Sequence, residues 1–139
     1  MDLSVGFQLE TPAIFVPKAV TERELRALLP AARSVTTGYF VLRECVSLGG
    51  LKHELGFHFQ PRSNGLLHEL EFFSFAFVDL QTSFQTFQTH LESIFGPPTE
   101  SRAGNEGFPS YAWRNIPDTE IVHLIFDRFG PEEHVRIRW

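Results

Sequence analysis

The chain has 139 residues, of which 42% are hydrophobic and 21% charged, a balance that fits one globular domain and excludes a disordered chain. Its formal net charge of −5 argues against a general nucleic-acid binder and leaves room for a basic partner, which an acidic surface attracts and steers. Cys45 is the single cysteine, so an intramolecular disulfide and a cysteine-built zinc site are both excluded.

The first residues, MDLSVGFQLETPAIFVPK, have no basic segment followed by an apolar core, so they do not read as a signal peptide. No run reaches the roughly 18 apolar residues of a membrane span. A cytoplasmic protein without membrane contact is expected. Val5 to Leu9 and Ala13 to Val16 are short apolar runs around Thr11-Pro12, read as edge strands or an extended arm. Thr21 and Glu24 have capping-box spacing and open a short helix with Leu25, Leu28 and Leu29 on one side, ended by Pro30. Tyr39 to Leu48 is rich in strand formers, and Gly49-Gly50 breaks it.

Leu51 to Phe77 reads as a β-hairpin. Pairing Phe59 with Leu66 and Leu55 with Leu70 gathers Leu55, Phe57, Phe59, Leu66, Leu70 and Phe72 on one face and leaves Pro61 to Asn64 as the loop. Asp79 to Ser83 starts a second helix. Phe84, Phe87, Leu91, Ile94 and Phe95 recur in it at helical spacing, and Gly96 with Pro97-Pro98 stops it. Thr99 to Pro109 reads as a loop. Tyr111 to Ile116, Glu120 to Phe129 and Glu133 to Trp139 read as strands. The expectation is a single α+β domain over residues 1–139 in helix-βββ-helix-βββ order. It has one curved antiparallel sheet of about six strands, with both helices on one face.

Three groups of residues could carry function. In the expected register Glu54 lies opposite Glu71, with Glu69 and His58 beside them. Such a face can hold a divalent cation or a raised-pKa acid, can be a solvated outer surface, or can meet a basic partner. His53 and His68 fall on the core side, where an imidazole is commonly neutral and hydrogen-bonded. The two HEL triplets lack a second histidine four residues on, so they do not form a zinc helix. The segment Gly104 to Trp113 offers Phe108, Tyr111 and Trp113 on a glycine-rich loop, read equally as a ligand mouth or as a connector packing on the core. His134, Arg136 and Arg138 share a strand face, fit for an anion or for cross-strand ion pairs with Asp127 and Glu120. Cys45 reads as a buried structural thiol, and no nucleophile elbow is present. Neither a catalytic set, nor a metal-ligand set, nor a cofactor is expected.

The segments LGGLKHELGFHFQ, ELEFFSF, FGPPT and DRFGPEEHVRI together resemble a family of small bacterial proteins of no settled activity. In size, acidity and α+β layout the chain is also similar to immunity proteins of bacterial toxin systems. That resemblance implies a non-enzymatic protein-binding module that neutralises a cognate toxin, with a basic toxin domain as partner. It would act as a monomer or homodimer, without nucleic acid. The contact candidates are Glu54, Glu69, Glu71, Phe108, Tyr111 and Trp113. The alternative is a small-ligand binder or an enzyme that uses the acidic sheet face.

Overall fold

The structure, a computed structural model, describes residues 1–60, 65–76 and 78–139. The expected hairpin loop Pro61 to Asn64 lies outside the described residues, as does Phe77. Strands β1 (Gly6–Gln8) and β2 (Phe15–Pro17) form a small antiparallel ribbon. After it come helix α1 (Glu22–Leu28) and strands β3 (Arg33–Thr36), β4 (Tyr39–Ser47), β5 (Leu51–Phe59) and β6 (Leu67–Ser74). Helix α2 (Leu80–Phe95) leads into β7 (Glu100–Ala103), a 3-10 turn (Asn105–Gly107), β8 (Pro109–Ile116), β9 (Thr119–Asp127) and β10 (Pro131–Arg138).

Strands β3 to β10 make one antiparallel eight-stranded sheet in the order β3-β4-β5-β6-β10-β9-β8-β7. The expected six strands and helix-βββ-helix-βββ order are therefore incorrect. The observed order is a helix followed by four strands, twice, with the β1–β2 ribbon added. The strands that sequence reading passes over are the two sheet edges. β3 is RSVT with every residue exposed, and β7 is ESRA with no residue buried. An edge strand with no buried face has no hydrophobic period to read, and its charges discourage further pairing.

The β5–β6 register also departs from expectation. Leu55 pairs with Phe72 and Phe57 with Leu70, two residues away from the expected partners. A shift of two preserves every side-chain face, so the apolar pattern cannot distinguish the two registers. His58 opposes Glu69 while Phe59 opposes Leu67, which leaves His68 as a bulge residue. The bulge turns Leu67 inward, 2% exposed, in the role expected for Leu66.

One sheet face carries the core. Leu55, Phe57, Leu70, Phe72, Val135, Ile137, Ile121 and Trp113 are buried there, beneath Phe7 from β1, Leu25 from α1, and Phe87 and Leu91 from α2. Both helices form as their termini dictate. The Thr21 hydroxyl accepts the Glu24 N–H at 3.1 Å and Glu24 accepts the Thr21 N–H at 3.1 Å, closing the capping box of α1. The Asp79 carboxylate accepts the Thr82 N–H at 2.9 Å at the start of α2. Gly96, at φ +78°, ends α2 in a conformation that disfavours other residues. Its carbonyl accepts the Trp113 indole N–H at 2.9 Å, which ties the helix end to β8.

Leu91 is fully buried in this cluster. Its replacement by alanine should cost about 2–5 kcal/mol in urea unfolding. Val35→Thr on the exposed edge β3 should stay within about 0.5 kcal/mol of the parent.

Candidate functional site

The ribbon and both helices cover one face of the sheet, and the other face carries polar side chains from six consecutive strands. The His58 ring lies 2.8 Å from Glu71. Arg136 donates to Glu71 at 3.1 Å and to Glu69 at 3.4 Å. Arg138 donates to Glu69 at 2.6 Å and to Glu120 at 3.2 Å. Arg114 then joins Glu120 at 2.9 Å and also pairs with Glu100, which accepts from Arg102 at 3.0 Å. The chain of alternating charge runs without a break from Glu71 on β6 to Arg102 on β7, and the His58 ring of β5 hydrogen-bonds to its first member. Its inner members are held tightly: Glu69 is only 7% exposed. Burial pushes the Glu71 carboxyl up, but the His58 hydrogen bond and the Arg136 charge outweigh it and hold the group below the usual carboxylate range. Gly56 opposes Glu71, and a Cβ there would come within 2.9 Å of the Tyr39 ring. The absence of that Cβ lets Tyr39 lie across the strand and stack on His58, with ring centroids 4.4 Å apart.

The structure separates the expected contact residues. Glu69 and Glu71 sit inside the ion-pair chain. Glu54 is on the same face opposite Phe73, not Glu71, and takes no ion pair among the described residues. Phe108 and Tyr111 lie on the helix side of the sheet. Trp113 is fully buried and belongs to the core. The cross-strand ion pairs expected for Arg136 and Arg138 are present, with Glu69 and Glu71 as partners along with Glu120, and Asp127 not among them.

Phe108 and Tyr111 line a cleft of about 620 Å³ between α2 and the 104–111 loop. Gln81, Phe84, Gln85, Gln88 and Thr89 form its helix wall. The loop is fixed by its own backbone. Gly104 N–H donates to the Phe108 carbonyl at 2.9 Å, and Phe108 N–H returns to Asn105 at 3.0 Å. A Cβ on Gly104 would approach that Phe108 oxygen to 2.7 Å, so the turn requires glycine. The Asn105 side chain donates to the Ile125 carbonyl at 3.1 Å and pins the turn to β9. Glu106 shares a hydrogen bond with Asp127, and that contact raises its carboxyl above the ordinary range.

Behind the cleft lies a buried polar chain that sequence reading missed. His123 is fully buried, stacked on Phe84 at 3.9 Å. Its Nε2 lies 2.7 Å from Glu133 and its Nδ1 2.8 Å from Gln88. Glu133 also accepts from Ser83, which contacts Ser74. Burial pushes the His123 pKa down, and it outweighs the Glu133 contact that pulls it up. The signal was present in the alternation: His123 shares a face with Ile121 and Ile125, and Glu133 with Val135 and Ile137. A polar residue on an apolar face in each of two adjacent strands points to a buried pair.

His53, in β5, is the matching feature of the first half. It is fully buried, 2.5 Å from Ser47 and 3.6 Å from the Cys45 sulfur. Burial lowers its pKa to about 4, while burial raises the Cys45 thiol to about 12. A neutral imidazole beside a protonated thiol packs the core; it does not present a nucleophile.

No family model matches the sequence, and no curated protein matches it. Among solved structures, the chain is similar to a DUF4309 family protein (YjgB) from Bacillus subtilis, at 14% identity over 85% of this chain and 77% of that one, with a TM-score of 0.49. That likeness carries no information on activity. Among the described residues, no helix is long and apolar enough to cross a membrane.

Two outcomes follow from these groups. Folded His53 stays neutral down to about pH 4, whereas the unfolded chain takes up its proton near 6.5. Stability therefore falls as pH drops through this window, by about 2 kcal/mol from that residue between about pH 7 and 5. His53→Gln should flatten this slope in urea unfolding at the two pH values. Arg136→Ala would leave Glu69 and Glu71 with less compensation in a partly buried setting, and should cost about 2 kcal/mol by the same measurement.

Proposed function

We propose that the protein is a non-catalytic binding module that neutralises a cognate bacterial toxin by lying over it through the open face of the sheet. The carrying observation is the chain of hydrogen bonds and ion pairs from His58 to Arg102, set on six consecutive strands. Side chains already paired lose little further freedom on association, so less of the contact energy is spent on ordering. A pattern of both signs selects a partner by complementarity and rejects others by like-charge contact. The net charge of −5 adds attraction toward a basic toxin domain. Glu54, half-buried beside the chain and without an ion pair among the described residues, is the carboxylate placed to meet such a partner. In this reading Glu69 and Glu71 shape the surface through Arg136 and Arg138 and are not themselves the direct anchors. The work of such an inhibitor is done in the cytoplasm, where it shields its own cell.

The test is co-expression with any toxin domain found encoded beside this gene. Growth should be rescued by the parent chain. Glu54→Arg and Arg114→Glu should each weaken toxin binding about ten- to a hundredfold and reduce rescue. Phe129→Ala, a change at the exposed tip of the β9–β10 turn, should leave both unchanged. Absence of protection, or equal binding by all three variants, would sink the proposal.

A further inference from the structure

The cleft between α2 and the 104–111 loop is separate from the open sheet face, and its lining has a chemistry of its own. Its volume, about 620 Å³, falls within the range of about 300–1,000 Å³ that suits small ligands. Among its described lining residues Glu106 is the one carboxylate, and none is a lysine or arginine. A phosphate or carboxylate would meet no counter-charge there and would face Glu106 at the rim.

The polar groups that remain are amides and a hydroxyl. Gln81, Gln85 and Gln88 recur at i, i+4 and i+7 along one side of α2, a row roughly 10 Å long. Gln81 and Gln85 are exposed and their side chains take no partner among the described residues, nor does the Tyr111 hydroxyl. Gln88 is already oriented, with its amide nitrogen donating to Glu92 at 2.9 Å and its oxygen against His123. Phe84 stands within this row, and Phe108 and Tyr111 face it from the loop side. Phe84 and Phe108 lie 4.9 Å apart at centroids, and Tyr111 is 6.2 Å from Phe84. His123, stacked beneath Phe84, fixes that ring from behind.

We propose that this cleft binds a neutral sugar, a disaccharide lying along α2 with its hydroxyls on the glutamine row and a ring face on Phe108. Side-chain amides supply a donor and an acceptor in one plane, which matches neighbouring hydroxyl groups. The C–H face of a pyranose is apolar and packs on an aromatic ring. A nucleobase would stack equally well, but its polar edge is short and would engage one amide, whereas Gln81 and Gln85 stand exposed in file beside the already engaged Gln88. His123 acts as a positioning residue: it orients Gln88 and Phe84 and is itself out of reach of the ligand.

Isotope-labelled protein is titrated separately with cellobiose, maltose and chitobiose, and with adenosine and a triproline peptide as rivals, while side-chain amide resonances are followed. At least one disaccharide at millimolar concentration should shift the Gln81 and Gln85 amide signals and the backbone signals of residues 107–109. Gln85→Ala should weaken that binding about five- to tenfold. Gln85 is exposed and its side chain takes no partner among the described residues, so this variant should keep its fold, and it should also leave toxin protection unchanged. Silence with all three disaccharides overturns the proposal. So do shifts produced by adenosine or the peptide in their place, and so does an unchanged affinity in Gln85→Ala.

Discussion

The pairing of β6 with β10 is the constraint on which the rest of the molecule depends. Each half of the chain is a helix followed by a four-stranded meander, and the two halves join where Phe72 meets Val135 and Leu70 meets Ile137. The contact is long-range, so its formation must offset the closure of a large loop before any of its gains appear. Those gains come on both faces. Val135, Ile137, Leu70 and Phe72 are buried on one side. On the other, Arg136 and Arg138 reach back across the join to Glu69 and Glu71. The charged face is thus part of what fastens the two halves together.

The same join accounts for the polar groups within the core. Glu133 opens the buried run of β10, His123 lies on the neighbouring β9, and Ser83 and Gln88 come from α2. Burying these groups singly would cost several kcal/mol each, and burying them as a connected set removes most of that cost. The set fixes the rotation of α2 over the sheet in a way that apolar contacts, which are non-directional, do not. That rotation turns the glutamine row toward the 104–111 loop and so creates the cleft. His53 with Ser47 and Cys45 is a smaller arrangement of the same kind in the first half.

Much of the local structure was legible in the residues. The capping box at Thr21, the helix spanning Phe84 to Phe95 and its stop at Gly96 are short-range events, and they occur where their sequence signals lie. The strands with a buried face were legible for the same reason, because alternation is written into them. The site was read less well. Glu54, Glu69 and Glu71 do share a face, yet Glu54 stands opposite Phe73 and the other two are held by arginines from a distant strand. Phe108 and Tyr111 line a cleft whose other wall is a helix some twenty residues earlier. Trp113, grouped with them by proximity in sequence, points into the core and bonds to the end of that helix.

By itself, then, the sequence determined the helices, their ends, the strands with one buried face and the inward or outward sense of nearly every side chain in them. These depend on periodicity and on capping groups a few residues apart. Only the tertiary structure decided the number of strands, the β5–β6 register, and which charges meet across β6 and β10. Edge strands such as β3 and β7 bury no face and leave no period to read. A register shift of two leaves every face unchanged, and contact between distant strands is set by the closing of the whole sheet.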